Sequence, residues 1–185
     1  MWLRIAIVAA AIIVVPFVAR AQTSKCVGLP PLYDAMPAEQ RADVLQKQAV
    51  ACVREGKLQQ SIALFSELIG LQPSNTSAYL NRGNASLQSG QFELGIADFS
   101  NVINTEPNMS EAWYNRGTAF LAARQHERAI ADLGEAIRLK PSLVRAYCNR
   151  AFALNRQREY DKALSDLNTG IEKDPKLNFW THRPT

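Results

Sequence analysis

The sequence is poor in the residues from which active sites are built. His126 and His182 are its only histidines in a chain of 185 residues. His126 stands at a turn position where other stretches of the chain carry Leu58, Phe92 or Tyr160. The three cysteines, Cys26, Cys52 and Cys148, form no metal-ligand spacing with either histidine. Serines and acids are present, but none shares a motif with a histidine or lysine able to activate it. No glycine-rich phosphate loop follows a strand, because no strand is expected. These absences argue against catalysis, a bound metal and any cofactor. Charge of one sign is nowhere concentrated. Lys and Arg are spread along the chain, no run of five like charges occurs, and the net charge is only +4. That describes a solvated surface, without the basic patch that nucleic acid binding requires.

One apolar run stands apart, at residues 5–18 (IAIVAAAIIVVPFV). Arg4 precedes it, and the small-residue pattern Ala19-Arg20-Ala21 follows. Residues 1–21 therefore read as a secretory signal peptide cut after Ala21, with Gln22 as the mature start. The protein is then exported, to a periplasm or beyond the cell. The alternative is an uncleaved membrane anchor. A span needs about 20 apolar residues, the run has 14, and Pro16 interrupts it near its end. Association with a membrane is expected only if the signal stays. No small-residue pattern leads into Cys26, which argues against a lipid-anchored cysteine. Cleavage removes Arg4 and Arg20 and lowers the net charge to +2. Export permits a disulfide. Cys26 and Cys52 are near enough in sequence for the mature N-terminus to fold back on the first repeat and bridge them. In the alternative, Cys52 and Cys148 are small core residues of helices. An odd count leaves the pairing open.

What the chain has in abundance is repetition. Residues 112–141 (AWYNRGTAFLAARQHERAIADLGEAIRLKP) recur 34 positions earlier and 34 later, and a weaker copy precedes these. Proline closes the copies at 73, 107, 141 and 175. Ile69, Ile103, Ile137 and Ile171 stand four residues before each proline, and Phe65, Phe99, Leu133 and Leu167 eight before. Tyr79, Trp113 and Tyr147 open the last three copies, each followed four residues on by Gly83, Gly117 or Ala151. Each copy reads as two amphipathic helices joined by a short turn. The first helix is expected at residues 78–89 and 112–123 in the second and third copies. Glu93, Glu127 and Asp161 open second helices, where they suit the positive end of the helix dipole. The small residue inside each first helix leaves room for its neighbour. Before the copies, residues 22–35 show no helical period and read as an extended leader. Pro37 is placed at the first turn of a helix that runs to Gly56.

This pattern resembles the tetratricopeptide repeat family, whose 34-residue unit carries an aromatic, a small residue, a second-helix Ala and a closing Pro at these offsets. The resemblance implies an all-α fold, an alpha-solenoid of four tandem helix-turn-helix repeats at residues 42–75, 76–109, 110–143 and 144–177. A leader with the start of the first helix (22–41) precedes them and a tail (178–185) follows. The first copy departs most, with Leu45 at the aromatic position and Ser61 at the small second-helix position. The second has Gly95 at that position. Arg124 and Arg158 stand in turns where Gly56 and Gly90 stand in the others. In this family the first helices line a concave face that takes an extended or helical peptide. Carried over, the inner positions are Leu80 and Asn84, then Glu111, Tyr114 and Thr118, then Arg145, Cys148 and Phe152. A subgroup clamps a C-terminal carboxylate with cations and two asparagines. Asn84, Asn115 and Arg145 match it, whereas Leu80 and Asn149 replace two of the cations.

Asn-Arg recurs at 81–82, 115–116 and 149–150, and an aspartate follows each arginine by sixteen residues: Asp98, Asp132 and Asp166. Gln48 and Leu64 replace both members together in the first copy. Joint presence and joint absence predict an Arg–Asp pair within each copy. After Pro175, Leu177, Phe179 and Trp180 are expected to lie over the last helix pair or to form a sticky surface through which two chains dimerise. The reading is a non-catalytic scaffold or adaptor of the cell envelope that binds a protein or peptide partner. The alternatives are a chaperone-like holder of exported chains and a membrane-anchored accessory subunit of an enzyme complex.

Overall fold

Each second helix stops two residues short of a proline, and each first helix begins shortly after one. The computed structural model describes Cys26, Leu29, Pro30 and residues 32–176. Its helices are α1 (Ala38–Arg54), α2 (Leu58–Leu71), α3 (Thr76–Gln88), α4 (Phe92–Thr105), α5 (Ser110–Ala122), α6 (His126–Leu139), α7 (Val144–Arg156) and α8 (Tyr160–Lys173). The fold is all-α, with these eight helices packed pairwise in tandem among the described residues. Both α3 and α5 begin two residues earlier than periodicity indicates. At α3 the cause is visible: Asn75 caps the helix, its side chain accepting the Ala78 N–H at 3.0 Å. The expected signal and tail, residues 1–21 and 178–185, lie outside the described residues. No described helix is long and apolar enough to cross a membrane.

The turns inside the pairs share one conformation. Gly56, Gly90, Arg124 and Arg158 all have positive φ, from 60° to 81°. The next N–H closes back on the preceding helix, as from Gln91 to Ser86 at 2.8 Å and from Gln125 to Phe120 at 2.8 Å. This satisfies a carbonyl left over at the helix end. Arginine adopts the left-handed conformation at a cost of about 1–2 kcal/mol that glycine avoids.

Each helix packs on its neighbours in sequence, and the odd-numbered helices α1, α3, α5 and α7 also touch one another in series. The even-numbered helices make no comparable series of contacts. The odd helices therefore line the tighter, inner side of the stack. The core runs between layers: Phe65, Phe99 and Leu133 are fully buried. Gly83 faces the Phe99 ring and Gly117 faces Leu133.

Arg82 donates to both carboxylate oxygens of Asp98 at 2.7 and 2.9 Å. Arg116 does so to Asp132 at 2.7 and 3.0 Å, and Arg150 to Asp166 at 2.6 and 2.7 Å. The pairing lies within each copy. The same arginines also reach backward: Arg82 to the Ser66 hydroxyl at 2.9 Å and Arg116 to the Ser100 hydroxyl at 3.1 Å. These two pairs thus each tie three helices together, whereas Arg150 joins only α7 and α8.

The leader corrects the expectation of an extended segment. Tyr33–Ala35 form a 3-10 turn, and Pro37 is the residue before α1 rather than part of it. Tyr33 is buried, and its hydroxyl donates to Glu67 at 2.7 Å. Arg41 lies over the Tyr33 ring, 4.9 Å from its centroid. The ring needs a cover for its apolar face, and the first helix pair supplies it. Cys26 and Cys52 are joined as a disulfide, with Cα atoms 4.7 Å apart.

Candidate functional site

The inner face is held together by amides. Asn115 donates to the Asn84 side-chain oxygen at 2.9 Å. One copy later, Asn149 donates to Thr118 Oγ at 3.1 Å and to the Tyr114 hydroxyl at 3.4 Å. Thr118 in turn donates to the Tyr114 carbonyl at 2.8 Å. Thr118 is therefore committed to the frame and holds the Asn149 amide, which also reaches the Tyr114 hydroxyl. Leu80 is half-buried and packs against the cluster of Val102, Ile103 and Ala112, so much of it belongs to the core.

Above this frame lies a cavity of about 360 Å³ between α3, α5 and the start of α7. Asn84, Glu111, Tyr114 and Arg145 line it together. Four of the sequence-indicated residues are thus brought to one place. Ser110, Asn115, Lys140 and Leu143 complete the lining. The Arg145 guanidinium sits 5.6 Å from the Tyr114 ring centroid, within cation–π range. Glu111, Lys140 and Arg145 make no ion pair among the described residues, unlike the arginines of the helix ties. A cavity with two cations, one anion and an aromatic face can hold a carboxylate beside an apolar side chain. Lys140 is the residue that pattern reasoning missed. Its signal was its place directly before Pro141, at the mouth of the inner face.

Phe152 is placed elsewhere. It is 52% exposed and lines two other cavities, one with Leu121, Arg124 and His126, the other with Cys148, Tyr160 and Leu164. Arg156 stacks on its ring at 5.4 Å. Cys148 borders the second of these cavities, and burial pushes its thiol pKa up. No group of three His, Cys, Asp or Glu side chains arranged to hold a metal occurs among the described residues.

Comparison with known proteins gives a consistent picture. Residues 47–103, 80–144 and 114–178 each match the tetratricopeptide repeat. Among solved structures, the chain is similar to a crystal structure of MamA, with a TM-score of 0.73 and 21% identity over 80% of this chain and 85% of that one. It is also similar to MamA from Desulfovibrio magneticus RS-1 (residues 41 to the end), with a TM-score of 0.68 and 18% identity over 78% and 90%. YrrB, described as a TPR protein with an unusual peptide-binding site, matches with a TM-score of 0.68 and 15% identity over 74% and 71%. No curated protein sequence matches the chain significantly. At these identities the structural likeness speaks for the fold, and the sequence matches speak for the lineage. With its repeats matched in overlapping pairs from residue 47 to residue 178, the chain belongs to the tetratricopeptide repeat family.

Proposed function

We propose that the protein is an exported interaction scaffold that takes a segment of a partner protein on its concave face, at the cavity between α3, α5 and α7. Repeats of this family generally mediate protein binding and are non-catalytic. The observation that carries the reading is the convergence of Asn84, Glu111, Tyr114, Lys140 and Arg145, from successive layers, on one cavity with unpaired charges. Lys140 and Arg145 favour an acidic side chain or a terminal carboxylate. Tyr114 favours an apolar or aromatic neighbour, and Asn84 and Asn115 offer partners to peptide backbone. YrrB, described as having a peptide-binding site, supports a peptide as the ligand class.

Export rests on residues 1–21, and the envelope is the proposed setting. The Cys26–Cys52 disulfide supports it, because such bonds persist in oxidising compartments. N-terminal sequencing of the exported chain tests cleavage: a start at Gln22 is expected, and retained residues 1–21 would reinstate the anchor. The groove is tested by crosslinking and affinity capture from the native envelope with wild type and with Tyr114→Ala plus Arg145→Ala. Loss of the captured partner is expected, and undiminished recovery by the folded variant removes the inner face as the site.

A further inference from the structure

The layer of α5 and α7 carries a second cavity on the face that holds the first. It has a volume of about 460 Å³ and is lined by Leu121, Ala122, Arg124, His126, Phe152 and Arg156. Helical spacing relates the two. On α5, Tyr114 lines the first cavity and Leu121, seven residues on, the second. On α7, Arg145 lines the first, and Phe152 and Arg156, seven and eleven residues on, the second. Such steps are close to two and three whole turns, so these side chains leave the same face of each helix. Between the cavities Asn149 of α7 donates to Thr118 of α5 at 3.1 Å and bridges the helices. With a rise of about 1.5 Å per residue, the cavities lie roughly 10–17 Å apart along the layer.

The second cavity has two arginines and no acid in its wall. Arg124 and Arg156 are both exposed, and neither is among the ion pairs of the described residues. The acids nearest in sequence are already engaged: Glu127 accepts from Gln157 at 2.6 Å, and Glu159 pairs with Lys162. Arg156 lies over the Phe152 ring, which is half exposed. Earlier layers carry none of this. One copy back, the counterparts of Arg124 and Arg156 are Gly90 and Ala122, and those of Lys140 and Arg145 are the acids Glu106 and Glu111. Two copies back, the four positions hold Gly56, Gln88, Gln72 and Ser77. Cations at both ends of the layer thus belong to α5 and α7 alone.

We propose that the two cavities are the ends of one site, whose ligand is an acidic segment of a partner protein held extended along α5 and α7. One carboxylate sits at Lys140 and Arg145, and a second at Arg124 and Arg156, where arginine can hold it by paired hydrogen bonds. The Tyr114 and Phe152 rings take the apolar parts of the same segment. An extended chain advances about 3.3 Å per residue, so a separation of roughly 10–17 Å sets the two acids three to five positions apart. The proposal rests on the concave-face reading and adds the sequence pattern that this face selects.

Three synthetic peptides of glycine, serine and leucine test it, acetylated and amidated so that only side chains carry charge. One has a single glutamate, one has two adjacent glutamates, and one has two glutamates four positions apart. Binding to the full chain is followed by chemical-shift titration at low ionic strength. The spaced peptide is expected to bind at least about tenfold more tightly than either of the others, because the second contact is made within a complex already formed. Arg124→Gly plus Arg156→Gln follows the residues that earlier copies carry at Gly90 and Gln88. This variant, its fold checked by circular dichroism, is expected to bind the spaced peptide no better than the single-glutamate one. Equal binding of the adjacent and spaced peptides overturns the proposal, as does undiminished binding of the spaced peptide by the folded variant. Binding that Tyr114→Ala plus Arg145→Ala then abolishes leaves the concave-face reading standing without it. A wild type that binds none of the peptides overturns both.

Discussion

The arginine of each Asn-Arg pair shows how much one position can carry. Burial pushes the Asp98 carboxyl above its ordinary value of 3.8, more than the Arg82 hydrogen bond pulls it down. The tie therefore offsets a desolvation cost more than it adds to stability, and an arginine removed alone leaves a buried charge without a partner. The third partner is a serine of the preceding copy. Ser66 and Ser100 each donate to a carbonyl four residues back and accept from the arginine. At the equivalent position α6 has Gly134, and Arg150 lacks that bond. A Cβ built on Gly134 lies 3.5 Å from Arg150 Nη1, in ordinary contact, so a serine hydroxyl there reaches hydrogen-bonding distance. Gly134→Ala is expected to stabilise the fold by about 1 kcal/mol through helix propensity alone. Gly134→Ser starts about 0.5 kcal/mol behind alanine in propensity and gains about 1 kcal/mol from the bond. Urea unfolding of both variants decides the point. Serine should match or exceed alanine, and serine trailing by the propensity difference means that no bond forms.

Helix pairs obey a different rule from isolated helices, and a second glycine shows it. A Cβ on Gly117 of α5 meets Leu133 Cγ at 2.8 Å and Asp132 Cβ at 3.2 Å. Neither atom is the free end of a flexible side chain, and Leu133 is fully buried with no space to move. Gly117→Ala gains about 1 kcal/mol of helix propensity, against about 1–3 kcal/mol for overpacking a filled core. Overpacking is expected to win, with a net loss of about 1 kcal/mol and a lower thermal midpoint. A rise in the midpoint would mean that α5 and α6 separate freely. In the fourth copy Ala151 occupies the same register opposite Leu167, whose outer side is open, so the extra carbon has room. Much of this was legible from the repeat. The 34-residue period carried the helix pairs, the buried positions and the Arg–Asp ties, because each recurs and each recurrence checks the others. Features that do not recur were illegible: the backward serine bonds stop at Gly134, and the Tyr33 turn has no counterpart. The candidate cavity was half legible. Tyr114 and Arg145 follow from their register, but Lys140 joins them because α5 and α6 fold back on each other, which brings the end of α6 beside the start of α5.

At the scale of the whole molecule, an array is limited by its ends, since each repeat is stabilised by its neighbours. The leader protects the first end. Tyr33 and Cys26 are buried against α1 and α2, with Leu29 and Met36 packed beside them. Cys26 N–H donates to Glu55 at 3.1 Å, and the disulfide to Cys52 fixes the segment covalently. The cysteines are 26 residues apart, and closing a loop of that size in the unfolded chain is worth about 3 kcal/mol. Cys26→Ser is therefore expected to lower stability by about 3 kcal/mol in oxidising buffer. The wild type should fall to nearly the same value once its disulfide is reduced, which separates the cross-link from the packing of the leader. The loss should begin at the N-terminal end. Amide exchange is expected to quicken in α1 and α2 and to change little in α5 and α6, because coupling passes only through adjacent layers. Uniform acceleration along the array would show instead that all the helix pairs unfold as one unit, with the leader as its lock.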